Sequence, residues 1–492
     1  MEKKYVLAID QSTQGTKAIL FDKEENMICR SEIPHKQIIS DKGWVSHDLE
    51  EIYKNVIQSA KDVIEKAGAA KEEIACLGIS NQRETSTAWD RKTGKPLDHA
   101  IVWQCSRAEE ICRWVKNGGN AEEIRKKTGL QLSPYFPASK YAWLIENSES
   151  VKAAKSSKNL CLGTIDSYLI FRLTGGKTFA TDYSNASRTQ LFNIHTLKWD
   201  EEICGIFNIP SESLPYVCDS AFSYGKTDFE GFFSEPIPIC GVIGDSQGAL
   251  FGQGCVKKGM VKATYGTGSS VMMNIGENAI MSDKGLVTSL GWGIDGKITY
   301  VLEGNINYTG AVITWLKDEI NLISSPAETQ RLAEAANKND ATYLVPAFSG
   351  LGAPHWDSDA RAVICGMSRT TGKNEIVKAA LESIAYQITD IIEMIQEEGI
   401  EISELHADGD PTKNRYLMQF QSDILEKPVR LPKCEVSSAF GAGLLAGLNC
   451  GFYSKDEILK HNDSEKFLPS LSHEERTKKY SGWNKAVRKA LS

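Results

Sequence analysis

The chain has 492 residues, 41% hydrophobic and 24% charged, which is the balance of a folded globular protein rather than a disordered one. Lysine and arginine number 56 against 64 acidic residues, a net charge of −8, which argues against sequence-independent nucleic-acid binding, because that requires a cationic surface. No apolar run approaches the roughly 18 residues needed to cross a bilayer, and the length calls for more than one domain.

The N-terminal stretch runs straight into a strand pattern and is read as carrying no secretory signal. Tyr5 to Asp22, YVLAIDQSTQGTKAILFD, reads as a strand, a turn rich in Ser, Thr and Gly, and a second strand. Such a hairpin presents backbone N–H groups and hydroxyls to an anion. Asp10 stands at the end of its first strand. A carboxylate there can hold Mg²⁺, directly or through water, over phosphates gripped by Thr13 and Lys17; as a bland alternative it only caps the turn.

Residues 50–67 carry Ile52, Val56, Ile57, Ala60, Val63 and Ile64 at helical spacing and stop at Gly68. Residues 74–79 read as a buried strand that runs directly into Asn81-Gln82-Arg83-Glu84. Arg83 offers up to five donors and Glu84 only acceptors, a pair suited to one diol, although a surface salt-bridging loop has the same composition. Trp103 and Tyr135 are suited to wall such a pocket, or else belong to the core. Asp245, in GVIGDSQG, leaves a second buried strand and is assigned as the base that takes a proton from an attacking hydroxyl; the alternative is a helix N-cap.

A boundary is placed near Gln253, dividing the chain into 1–252 and 253–492. Met260 to Gly276, MVKATYGTGSSVMMNIG, then repeats the strand–turn–strand pattern, so each half offers one phosphate-facing hairpin to a shared cleft. A core helix is expected from near Asn374, with Gly399 as its C-terminal signal, and a closely packing one from Ser437 to Leu448. After Glu474 the tail reads as a polar helix anchored by Tyr480 and Trp483. Twelve scattered cysteines lack zinc-site spacing and are read as reduced core thiols of a cytoplasmic protein.

Several stretches carry a resemblance: SNQRET (Ser80–Thr85), TDYSNASRTQLFNIHTLKWD (Thr181–Asp200), GDSQGALFGQ (Gly244–Gln253), YGTGS (Tyr265–Ser269) and LMQFQSDIL (Leu417–Leu425). With them, over nearly its whole length, the chain resembles the FGGY carbohydrate kinases, and among these the glycerol kinases. The resemblance implies two α/β domains of the actin and hexokinase type (ribonuclease H-like), closing on ATP, Mg²⁺ and a polyol. It implies that Asp10 and Asp245 are the metal-linked and catalytic carboxylates. Thr13, Gln14, Gly15 and Lys17 would form the first phosphate loop, and Gly266 and Thr267 the second. Gly310, Thr314, Gly409, Asp410 and Asn414 would follow the nucleotide, while Arg83, Glu84, Trp103, Tyr135 and Asp245 would surround the substrate. A homodimer or homotetramer is the implied assembly.

The departures from the family carry expectations too. Ser246 stands where glycerol kinases have a substrate-contacting glutamine, and Ser270 where they set a phenylalanine against the glycerol carbons. Both changes remove bulk, so a larger polyol or a ketose, hydrogen-bonded to both serines, is the alternative substrate. Asp410 and Thr314 replace family residues on the nucleotide side, and a carboxylate at Asp410 repels phosphates unless it points away or meets a cation. Pro236 and Gly231 fall where relatives carry regulatory residues, so neither control is expected. A polyol and nucleotide sensor without useful turnover is the further alternative.

Overall fold

The structure, a computed structural model, describes residues 2–355, 357, 359–455, 458 and 464–491. Two large sheets organise it, and they share one plan. In the first, Tyr5–Gln11 turns back antiparallel on Gly15–Phe21 and lies parallel to Ile74–Asn81, which is parallel in turn to Ile237–Gly244. In the second, Val261–Tyr265 turns back on Ser269–Gly276 and lies parallel to Leu405–Asp408, which is parallel to Val429–Leu431. The hairpin repeat of the sequence is therefore a repeat of the sheet. Both hairpins form where they are expected, with turns at residues 12–14 and 266–268.

Helices cover these sheets because their apolar faces have nowhere else to go. Leu49–Ala67 begins at Asp48, whose carboxylate accepts the Glu50 N–H at 2.9 Å, and ends at Gly68 in the left-handed conformation (φ 63°). Its buried face includes Ile52, Val56, Ala60 and Val63, which join the core under the first sheet. Lys373–Gln396, the expected core helix, packs against the second sheet, with Gly399 (φ 81°) just past its end. The tail helix His473–Ala490 docks on it through Asp390, which accepts hydrogen bonds from Tyr480 Oη at 2.6 Å and Trp483 Nε1 at 2.8 Å.

One helix crosses between the halves. Ser437–Asn449, from the C-terminal half, lies on the first sheet rather than the second. Glycines on both sides permit the contact: a Cβ on Gly78 would sit 2.3 Å from the Ala442 carbonyl oxygen, and one on Gly441 would sit 1.9 Å from that of Gly248. Ala439, Ala442 and Ala446 of this helix share a core with Val6, Ala8, Ile19, Ile243 and Leu250 of the N-terminal half.

Candidate active site

Three neighbouring strands of the first sheet end side by side, and the chemistry stands at those ends. The parallel register sets Asp10 beside Ser80 and Gly244 beside Asn81, so Asp10, Arg83 and Asp245 leave the same edge within a residue or two of one another. This edge arrangement is common in parallel sheets, where ligands bind outside the carboxyl ends of the strands.

Asp10 is buried. Ser80 Oγ donates to its Oδ1 at 3.0 Å, and Lys17 Nζ lies 3.9 Å from its Oδ2. Burial raises its pKa above the usual carboxylate range, and the Lys17 charge works against that rise. Asp245 opens the helix Asp245–Gly252, in which Gly244 is the N-cap, so capping is not its role. Burial raises its pKa as well; Arg83, with Nε 3.3 Å from Oδ1, opposes the rise, and the charge on Asp10 adds to it.

Arg83 is the hub of a buried charge cluster. Its Nη1 and Nη2 donate to Glu303 Oε2 and Oε1 at 3.1 and 2.9 Å, and Nη1 also donates to Gln247 Oε1 at 3.2 Å. Glu84, in the left-handed conformation (φ 58°), accepts from Arg188 Nε at 2.5 Å, and Arg188 Nη1 lies 2.9 Å from Glu303 Oε2. Burial works against the charge on Glu303, yet Arg83 and Arg188 together hold its carboxyl well below the ordinary range. Glu303, Arg188 and Gln247 were not anticipated from the sequence. The available signal was a lone carboxylate inside the apolar strand Lys297–Ile306, which has to meet a cation if it faces inward.

The expected pocket walls come together. The Trp103 and Tyr135 rings lie 5.4 Å apart, and Trp103 Nε1 donates to Thr13 Oγ1 at 3.0 Å, tying the pocket wall to the first hairpin turn. Tyr135 faces the charges of Glu84 and Arg83, and its backbone carbonyl accepts a hydrogen bond from the fully buried Lys140. Ser246 is half-buried beside Asp245, to which its own N–H donates at 2.6 Å. Ser270 is half-buried too, but its hydroxyl donates to Glu303 Oε1 at 2.9 Å instead of standing free for a ligand.

In the first hairpin, Thr13 and Gln14 form the turn, whereas Gly15 and Lys17 belong to the returning strand. Gly15 packs so closely that a Cβ would meet the Ile33 carbonyl oxygen at 2.8 Å. The second hairpin is bound to the next helix: Gly310 and Ala311 donate backbone N–H bonds to Gly266 and Thr267 at 2.8 and 3.0 Å. Thr314, one turn into that helix, is exposed. Gly409 adopts φ 99° and passes against Tyr265, where a Cβ would fall 1.9 Å from the carbonyl oxygen. The Asp410 side chain is 93% exposed and meets a cation, pairing with Lys413 at 3.0 Å. The Asn414 side chain caps the helix Arg415–Leu425, accepting from the Leu417 N–H and donating to Thr329, so its amide is already engaged.

The family model for the FGGY family of carbohydrate kinases, N-terminal domain, matches residues 5–252, and that for the C-terminal domain matches residues 261–450. The chain belongs to the FGGY family of carbohydrate kinases. It is 48% identical to glycerol kinase 1 of Thermotoga maritima, over 99% of this chain and all of that protein. The crystal structure of Plasmodium falciparum glycerol kinase with ADP superposes with a TM-score of 0.94 at 38% identity, covering 100% of this chain and 99% of that one. The ligand-bound xylulose kinase of Lactobacillus acidophilus, at 23% identity and a TM-score of 0.87 over 99% of this chain and 98% of that one, shares the fold. The two α/β domains of actin and hexokinase type are thus those of an FGGY kinase.

Proposed function

We propose that this kinase transfers the γ-phosphoryl group of ATP to a primary hydroxyl of glycerol or a closely related polyol. The observation that carries the reading is the placement of Asp10 and Asp245 at the same sheet edge, on the two strands that flank Ile74–Asn81, with Arg83 against Asp245 and a hairpin turn beside Asp10. Arg83 and Glu84, walled by Trp103 and Tyr135, hold the polyol. Asp245 receives the proton of the attacking hydroxyl, and its raised pKa suits that task better than an ordinary surface carboxylate. Thr13, Gln14, Gly15 and Lys17 hold the phosphates from one side, and Gly266 and Thr267 from the other. Gly310, Thr314, Gly409 and Asn414 follow the nucleoside, with Asp410 turned outward.

The residues fit a divalent cation. Asp10 is buried and Asp245 is half-buried at the same sheet edge, and the pKa of each is raised, chiefly by desolvation, a cost that a bound cation would offset. Asp10 and Asp245 would hold Mg²⁺, largely through water and phosphate oxygens, and the ion would supply neutralisation of phosphate charge. Most of the acceleration left to the protein is positioning. The division of the chain at 252/253, a homodimeric or homotetrameric assembly and a cytoplasmic location belong to the same proposal; no helix among the described residues is long and apolar enough to cross a membrane.

A coupled ADP-release assay tests the reaction. Glycerol-dependent ADP release that falls by about 10²–10⁴-fold in Asp245→Asn supports it. Ligand binding without polyol-dependent ADP would instead assign a sensor. A second reading, a larger polyol or ketose, rests on the small, half-buried side chains of Ser246 and Ser270, although the Ser270 hydroxyl is already bonded to Glu303 and supplies only volume. Steady-state comparison of glycerol, erythritol, xylitol and ribulose separates the two, and a clear preference for glycerol sinks the larger substrate.

A further inference from the structure

The helix that crosses onto the first sheet carries a cysteine at its far end, and two more wait beneath it. Cys450 is the C-cap residue of Ser437–Asn449 and is exposed; Cys76 lies on the strand Ile74–Asn81 and is fully buried. Their sulfurs are 3.2 Å apart although 374 residues separate them in the chain. Cys240 stands on the neighbouring strand where the register shifts between Ile239 and Gly241, at a bulge that brings it beside the other two. Asn449 Nδ2 donates to the Cys240 carbonyl oxygen at 3.1 Å and holds the end of the helix over that bulge. The close approach comes from the bare backbones at Gly78 and Gly241, where a Cβ would meet Ala442 and Ala446.

We infer that Cys450, Cys76 and Cys240 form a thiol-oxidation site, in which a peroxide-class oxidant converts the Cys450–Cys76 pair into a disulfide. The three sulfurs are not a metal centre, since no group of metal-ligating side chains with suitable geometry occurs among the described residues. Nor do they belong to the catalytic machinery. Cys76 precedes Asn81 by five residues, about 16 Å of extended strand from the edge where Asp10 and Asp245 stand.

The arrangement divides the labour between an accessible thiol and a buried one. Cys450 alone of the three is exposed to an oxidant. Hydrogen bonding with the neighbouring thiols of Cys240 and Cys76, then with the Phe452 N–H, lowers its pKa, which favours the reactive thiolate. The Cys450 thiolate attacks one peroxide oxygen, the O–O bond breaks, and water leaves after proton uptake, giving a sulfenic acid. The Cys76 sulfur then attacks the Cys450 sulfur, the S–O bond breaks, and a second water leaves with the Cys76 proton. Two thiols and one peroxide become one disulfide and two waters. Sulfurs already in contact need to close by only about 1.2 Å to reach bonding distance. The bond would fasten a helix of the C-terminal half to a strand of the N-terminal half, at the end opposite the ligands.

The test uses the full-length enzyme, treated with a small excess of hydrogen peroxide, alkylated, digested without reduction and mapped by mass spectrometry. The expected result is one cross-linked peptide pair joining Cys450 to Cys76, with a loss of two hydrogens that a dithiol reverses. It is expected to be absent from Cys450→Ser and retained in Cys240→Ser. The inference is overturned if Cys450 proceeds to sulfinate with no cross-link, if it stays unmodified while other thiols react, or if the bond found is Cys76–Cys240. The wild-type map decides the matter even where a serine variant folds poorly.

Discussion

Glu303 holds Arg83 by two parallel N–H···O bonds, at 2.9 and 3.1 Å, and the two residues come from opposite halves of the chain. Arg83 follows a strand of the first sheet, and Glu303 lies within a strand of the second. The same carboxylate also pairs with Arg188 and accepts the Ser270 hydroxyl, so both of its oxygens are engaged within the protein. In the proposed site, Glu303 would act on the substrate through the direction in which it holds Arg83.

Replacing Glu303 by Gln keeps the volume and removes the charge, leaving two buried guanidinium groups short of a partner. Breaking such a buried pair costs about 3–5 kcal/mol of stability. Urea unfolding is expected to show that loss, and steady-state kinetics a polyol KM raised by at least about tenfold, since a misdirected Arg83 weakens binding before it alters the chemistry. An unchanged KM in a folded variant would remove Glu303 from the substrate site.

Ser270→Phe restores the wall that glycerol kinases place against the glycerol carbons and deletes the hydroxyl that reaches Glu303. We expect kcat/KM for glycerol to gain on that for four- and five-carbon polyols by about 10–200-fold, the range that filling one hydrophobic pocket position supplies. Equal losses for all substrates would mean that Ser270 serves only to position Glu303.

Lys140 is buried at the Tyr135 carbonyl, and burial lowers its pKa from 10.5 to about 7. Between those values the unfolded chain binds a proton that the folded protein has released, so stability rises with pH across this window. Denaturant midpoints measured from pH 7 to 10.5 are expected to climb from this contribution, and the climb is expected to be missing in Lys140→Met. The same slope in both proteins would assign the effect elsewhere.

Asp410 points into solvent and pairs with Lys413, an exposed contact of the kind that contributes little. Asp410→Ala is therefore expected to change the ATP KM by less than about twofold. A large fall in that KM would show the carboxylate repelling the nucleotide after all.

The hairpins and the long helices were legible in the sequence because their signals are local. A Ser/Thr/Gly turn between two apolar strands reads the same in any context, and so does the helix ending at Gly68. Asp10 and Asp245 were legible as strand-end carboxylates, and the Tyr480 and Trp483 anchors as aromatics on a polar helix, although Asp390 as their common acceptor was not. What escaped depends on contacts across the chain. Glu303 and Arg83 are 220 residues apart, and nothing within either segment names the other. Within its own strand Ser270 presents free space and a hydroxyl, whereas in the structure that hydroxyl donates to Glu303. The small residues of Ser437–Asn449 forecast close packing without telling which sheet would receive it.

That helix has a consequence for dissecting the protein. A fragment ending at residue 252 would retain Asp10, Arg83, Glu84 and Asp245 but would lose the cover over Val6, Ala8 and Ile243. Its naked apolar floor would drive it to aggregate before it bound anything. The remaining piece would carry an orphan helix with no surface to settle on. The two parts would have to be co-expressed to meet and restore each other, and neither lobe would serve alone as a minimal scaffold for engineering.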